Sequence, residues 1–132
     1  MRYALVGVGR IGELHARLLA GIPGVDAIVV ADPDQDRAER VARDLGVEVG
    51  ATPEAAMDAA DAVVIAAATG AHAALIDAAV SRRLPTFCEK PLAPGLEASR
   101  AVASRIDAAG IPFQLGFHRR FDPGYVAARR MV

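Results

Sequence analysis

Apolar positions in this 132-residue chain follow two alternating patterns. Short, nearly continuous apolar runs occur at Tyr3–Val6, Ala27–Ala31, Val47–Val49, Ala62–Ala67, Thr86–Cys88 and Pro112–Gly116. Runs of that length without polar alternation predict strands buried on both faces. Between them lie longer stretches with apolar residues three and four apart, the spacing of a helix face. In the first, Arg10–Ala20, residues Ile11, Leu14 and Leu18 fall at that spacing, and Ile22 continues it just beyond. Turn chemistry marks the ends. Pro23-Gly24 closes the first unit. Asp32-Pro33 predicts a helix with proline in its first turn, stopped at Gly46. Thr52-Pro53 predicts an N-cap, and Pro94 opens a helix stopped at Gly110. Another Asp-Pro start, Asp122-Pro123, opens a last short helix. Strict alternation of strand and helix predicts an α/β protein with a doubly wound parallel sheet covered on both faces, in strand order 3-2-1-4-5-6. In such sheets ligands bind at the carboxyl ends of the strands.

The chemistry-bearing residues cluster at those ends. After the first strand comes Gly7-Val8-Gly9-Arg10-Ile11-Gly12, a G-x-G-x-x-G run that leads directly into the first helix. Gly7 permits the tight turn, Gly9 lets a pyrophosphate approach the backbone, and Gly12 lets helix and strand pack closely. The free N–H groups of Arg10 and Ile11 at the helix start then face the anion. Asp32 follows the second strand, 20 residues past Gly12. Its carboxylate either accepts hydrogen bonds from a ribose 2′,3′-hydroxyl pair or caps the helix that follows. The first role favours NAD over NADP. Arg37, within reach of the same end, leaves NADP open. Thr69 and His72 follow the fourth strand, Glu89-Lys90-Pro91 the fifth, and His118-Arg119-Arg120 the sixth. Lys90 at a cofactor's nicotinamide end would assist proton transfer from a hydroxyl, or else be half of a solvated Glu/Lys pair. His72 reads equally as a capping or packing group. His15 reads as helix surface, and Cys88 as core.

Composition narrows the range of functions. A net charge of −1 with scattered basic residues gives no nucleic-acid footprint. One cysteine excludes an internal disulfide and fits a reducing compartment. The most apolar stretch, Ala62–Leu75, is interrupted by Gly70 and His72 and is too short to cross a bilayer. No leader is visible after Met1-Arg2, and a cytoplasmic protein is expected. Metal-ligand spacing and a nucleophile elbow are absent from the sequence.

Four segments together resemble the glucose–fructose oxidoreductase / inositol dehydrogenase (Gfo/Idh/MocA) family. They are Gly7–Gly12, Asp61–Ala66 leading to Thr69 and His72, Phe87-Cys88-Glu89-Lys90-Pro91-Leu92, and Gln114 to Pro123. The resemblance implies NAD(P)-dependent oxidation of a sugar, inositol or related hydroxyl compound. Residues 1–117 would be the dinucleotide-binding Rossmann domain, and 118–132 the start of a linker or helix towards a C-terminal domain. Lys90 would contact the reacting hydroxyl, as the catalytic residue, and Arg120 would lie near the cofactor. The Lys90–Pro91 bond is expected to be cis. Family members carry a second α/β domain that binds substrate, forms the homo-oligomer interface and supplies the Asp and His that pair with the lysine. By this reading the present chain binds cofactor but does not turn substrate over. The tail from Asp122 should fray or pack on another copy. Two other classes compete: a non-catalytic NAD-binding or sensing module, and a methyltransferase. Glu89-Lys90-Pro91 and the full glycine fingerprint count against the second.

Overall fold

The computed structural model describes residues 1–131; Val132, at the end of the expected linker segment, lies outside the described residues. The elements, in order, are β1 (Arg2–Val6), α1 (Arg10–Ala20), β2 (Ala27–Ala31), α2 (Gln35–Leu45), β3 (Glu48–Val49), α3 (Pro53–Asp58), β4 (Ala62–Ile65), α4 (His72–Ser81), β5 (Thr86–Cys88), α5 (Leu96–Ala109), β6 (Phe113–Leu115) and α6 (Pro123–Arg130). The six strands form one sheet in the order β3-β2-β1-β4-β5-β6, with every pairing parallel. This is the expected doubly wound sheet, with the switch between β1 and β4.

Alternate residues of the inner strands feed two cores. Leu5, Ile28, Val30 and Val64 face α1 and α2, meeting Ala16, Ala38, Val41 and Ala42. Ala4, Val6, Val29, Val63 and Ile65 face the opposite helices, meeting Met57, Ile76, Ala79, Val102 and Ile106. Burial on both sides is why the strands read as unbroken apolar runs.

The structure departs from the pattern in three places. First, α2 begins at Gln35 and its cap is Asp34, whose side chain accepts from the Arg37 N–H. Asp32 is unavailable as a cap because its carboxylate turns back to the glycine loop. Second, α5 begins at Leu96, after Gly95. The stretch from Pro91 to Pro94 is a loop. Third, Ile11, Leu14, Leu18 and Ile22 are exposed, at 41–58%. The buried residues of α1 are instead Gly12 and Ala16. A Cβ at Gly12 would lie 1.8 Å from the Gly7 carbonyl oxygen, so the helix is docked through its smallest residues and its larger ones are turned outward. The tail forms α6, capped by the Asp122 side chain accepting from the Tyr125 N–H.

Candidate cofactor and catalytic site

The three glycines of the first turn do different things. Gly7 has φ +90°, and a Cβ there would meet the Ala67 backbone at 2.5 Å. Gly12 is held against Gly7 as described. These two are demanded by the protein's own packing. Gly9 is not: its φ is −65°, and a Cβ there would meet nothing within 4 Å. Neither strain nor packing accounts for a glycine at that position; beside it lies open space that leaves the backbone bare to an approaching pyrophosphate. No side chain caps α1, so its first N–H groups stay available to an anion. The residues present therefore fit a dinucleotide.

Asp32 is tied into this turn. Its Oδ2 accepts the Val8 N–H at 2.8 Å, and its Oδ1 accepts the Asp34 N–H at 2.9 Å and an Arg37 N–H at 3.1 Å. The side chain is only 5% exposed. Oδ2 keeps a free lone pair, so the carboxylate has room for one further donor. Arg37 also pairs with Asp34 at 2.8 Å. Its guanidinium is thus paired with a carboxylate on either side.

At the end of β5 the chain turns through Glu89-Lys90-Pro91, and the Lys90–Pro91 bond is cis, as expected. Lys90 is exposed. With Gly116, Phe117, His118, Arg119 and Arg120 it lines a cavity of about 430 Å³. Arg120 lies over the Phe117 ring, 4.9 Å from its centroid. Thr69 is half-buried in a short 3-10 turn after β4.

Two histidines grip this turn. His72 is 1% exposed; its Nδ1 lies 2.8 Å from the Pro91 carbonyl oxygen and its Nε2 3.0 Å from that of Ala67. Its burial, with a carbonyl oxygen beside each ring nitrogen, fits the packing role that the sequence left open for it. His15, read from the sequence as helix surface, is half-buried. Its Nε2 lies 2.9 Å from Glu89 Oε1, and its ring meets Phe87 edge-on at 5.3 Å. The sequence reading missed it because its partner is 74 residues away. One legible signal was also passed over. Of the 15 Lys and Arg residues only one is lysine, and it is Lys90. Arginine cannot give up its proton in a protein, whereas lysine can. A chain that otherwise uses only arginine keeps its one lysine at the cleft. Cys88 is core, as expected: burial, and secondarily the Glu89 carboxylate, pushes its thiol up to about 12.

These features coincide with a known family. The Gfo/Idh/MocA model, described as an oxidoreductase family with an NAD-binding Rossmann fold, matches residues 1–117. The chain belongs to this family. It is 39% identical over its whole length to scyllo-inositol 2-dehydrogenase (NAD(+)) of Bacillus subtilis (strain 168) and 41% identical to inositol 2-dehydrogenase 4 of Saccharopolyspora erythraea. It spans 40% of the length of each of these relatives. Among solved structures it is similar to myo-inositol 2-dehydrogenase from Lactobacillus plantarum, with TM-score 0.90 and 34% identity, over 99% of this chain and 40% of that one. It is also similar to scyllo-inositol dehydrogenase from Lactobacillus casei with bound NAD(H) and scyllo-inositol, with TM-score 0.91 and 29% identity and the same coverage. No helix among the described residues is long and apolar enough to cross a membrane.

Proposed function

We propose that these residues are the cofactor-binding part of an NAD-dependent dehydrogenase that oxidises inositol or a closely related polyol. The observation that carries this reading is the pairing of two features on one sheet edge: a glycine cradle whose middle glycine serves no internal need, and a lone lysine at the end of β5. The backbone from Gly7 to Gly12, with Arg10 and Ile11 at the helix start, would hold the pyrophosphate. Asp32 would take a ribose hydroxyl on its free lone pair. Thr69, Glu89, Lys90 and Arg120 would surround the nicotinamide end, with His72 bracing the turn from behind. When bound, NAD supplies the hydride acceptor. The chain's own contribution is Lys90, whose amine, in its neutral form, would hold the reacting hydroxyl and take up its proton. The named inositol dehydrogenases among the relatives support the substrate class. The closed triangle of Asp32, Asp34 and Arg37 supports NAD over NADP, because a 2′-phosphate would meet two carboxylates and a guanidinium already paired with both.

Titration of this chain with NADH, NADPH and S-adenosylmethionine tests the reading. NADH is expected to bind at least about tenfold more tightly than NADPH, about 1.4 kcal/mol, and S-adenosylmethionine not at all. Asp32→Asn, which keeps an acceptor for the Val8 N–H, should narrow the NADH–NADPH gap. A tenfold preference for NADPH would overturn the ribose assignment, and binding of S-adenosylmethionine alone would overturn the dehydrogenase.

A further inference from the structure

We propose that His15 and Glu89 form a positioning pair for Lys90, linking the helix that receives the cofactor phosphates to the turn that carries the lysine. The proposal rests on the dehydrogenase reading above and adds a residue that the cofactor-binding motifs do not include. Glu89 has two carboxylate oxygens and uses both within the protein. Oε1 lies 2.9 Å from His15 Nε2, and Oε2 accepts the backbone N–H of Lys90 at 3.2 Å. One carboxylate therefore joins α1 to the lysine's own main chain. Its freedom is small. The His15 and Glu89 side chains are 23% and 20% exposed. A Cβ at Gly116 would stand 3.3 Å from Glu89 Oε2 and 3.0 Å from the Phe87 ring, so the chain leaving β6 closes over the carboxylate with a bare backbone. The Phe87 ring, in turn, fixes the plane of His15.

The geometry assigns a purpose to each member. His15 lies one turn beyond Gly12, on the same rigid helix whose N-terminus faces the anion. A displacement of α1 on cofactor binding is carried to Glu89 and from there to Lys90 N–H. His15 does not line the cavity beside Lys90, so it acts through Glu89. The remaining grip on the turn, His72 on the Pro91 carbonyl, comes from the other face of the sheet and does not reach α1.

Because Lys90 is the only lysine, a chain labelled with 15N-lysine gives a single backbone amide cross-peak, that of the N–H bonded to Glu89. In the wild type this peak should lie away from its random-coil position and move when NADH is added. His15→Ala should carry it towards the random-coil position and at least halve the NADH-induced change. NADH affinity should stay within about threefold, because the cradle is backbone. His15→Gln, whose amide can still donate to Glu89, should restore both. Should His15→Ala fail to fold by circular dichroism, His15→Leu keeps the packing on Phe87 and removes only the donor. A His15→Ala peak that superimposes on wild type, with the same NADH response, would overturn the pair, as would a His15→Gln variant as impaired as His15→Ala. If NADH binds the wild type and leaves the peak unmoved, the link from α1 to Lys90 is overturned; if NADH does not bind at all, the dehydrogenase reading fails instead. The ligand-free comparison of wild type with His15→Ala still decides the pair.

Discussion

At the scale of single residues, the glycine turn separates folding from function. Gly7 sits at φ +90° against Ala67, and Gly9 faces open space at an ordinary φ. Gly9→Val should therefore leave the thermal melt close to wild type and weaken NADH by at least about tenfold, because the added side chain fills only the space the pyrophosphate needs. Gly7→Ala should do the reverse first: a Cβ 2.5 Å from backbone, in a left-handed conformation, is expected to cost about 1–3 kcal/mol of stability. Calorimetry for stability and fluorescence titration for NADH read the two effects separately. Equal losses of stability in both variants would mean that Gly9 is structural after all. The motif itself was legible because its meaning is local, a strand, a turn and a helix within a few residues. His15 was not. A histidine on a helix reads as surface until the fold brings up Glu89, and nothing near position 15 announces that partner.

At the scale of elements, α1 shows where periodicity stops being informative. Ile11, Leu14, Leu18 and Ile22 form a well-spaced apolar stripe, and the helix does exist; the stripe faces outward. Distance of approach decided its orientation: the glycine turn draws α1 so close to β1 that only Gly12 and Ala16 fit beneath it. The start of α2 moved for a similar reason, since Asp32 is held by Val8 and Asp34 inherits the cap. Strand order, by contrast, was readable from the strict alternation of strand and helix after the glycine turn, although the outer strands β3 and β6 expose Glu48 and Gln114. The same two helices are joined on the surface by Glu13, which pairs with Arg17 at 2.8 Å and Arg40 at 2.9 Å. Hydrogen bonds from Arg40, then Arg17, lower its carboxyl from 4.5 to about 2. A depressed carboxyl contributes stability that is present above its unfolded value and is lost as the pH falls through its folded one. The difference in melting temperature between wild type and Glu13→Gln should therefore be steady above about pH 5 and shrink as the pH falls from 4.5 towards 2. The effect should be small in size, because the pair is solvent-screened, and smaller still in high salt. A gap that holds constant down to pH 2 would remove Glu13 as a tie between α1 and α2.

At the scale of the whole molecule, binding and turnover make different demands. Binding a dinucleotide needs the strand ends of one sheet, and this chain has all six of them in order. Oxidising a polyol also needs the substrate carbon held beside the nicotinamide, and that positioning is worth about 7–11 kcal/mol of the barrier. Here the cavity beside Lys90 is lined by the lysine and by the Gly116–Arg120 segment alone. One amine and an aromatic–arginine stack can receive a proton and flank a ring; they do not fix a polyhydroxylated substrate in one orientation. Nor do the described residues bring a carboxylate and a histidine to the lysine's amine as a proton relay. The chain spans 40% of the length of its inositol dehydrogenase relatives, which leaves room in those proteins for the opposite wall. A polypeptide of these 132 residues should therefore bind NADH yet show no NADH formation at 340 nm with myo- or scyllo-inositol and NAD. Lys90→Met should leave NADH affinity within about threefold if the lysine serves the substrate, as proposed. Turnover by the 132-residue polypeptide that disappears in Lys90→Met would show that one sheet edge is enough to orient the substrate, and the argument from positioning would fall with it.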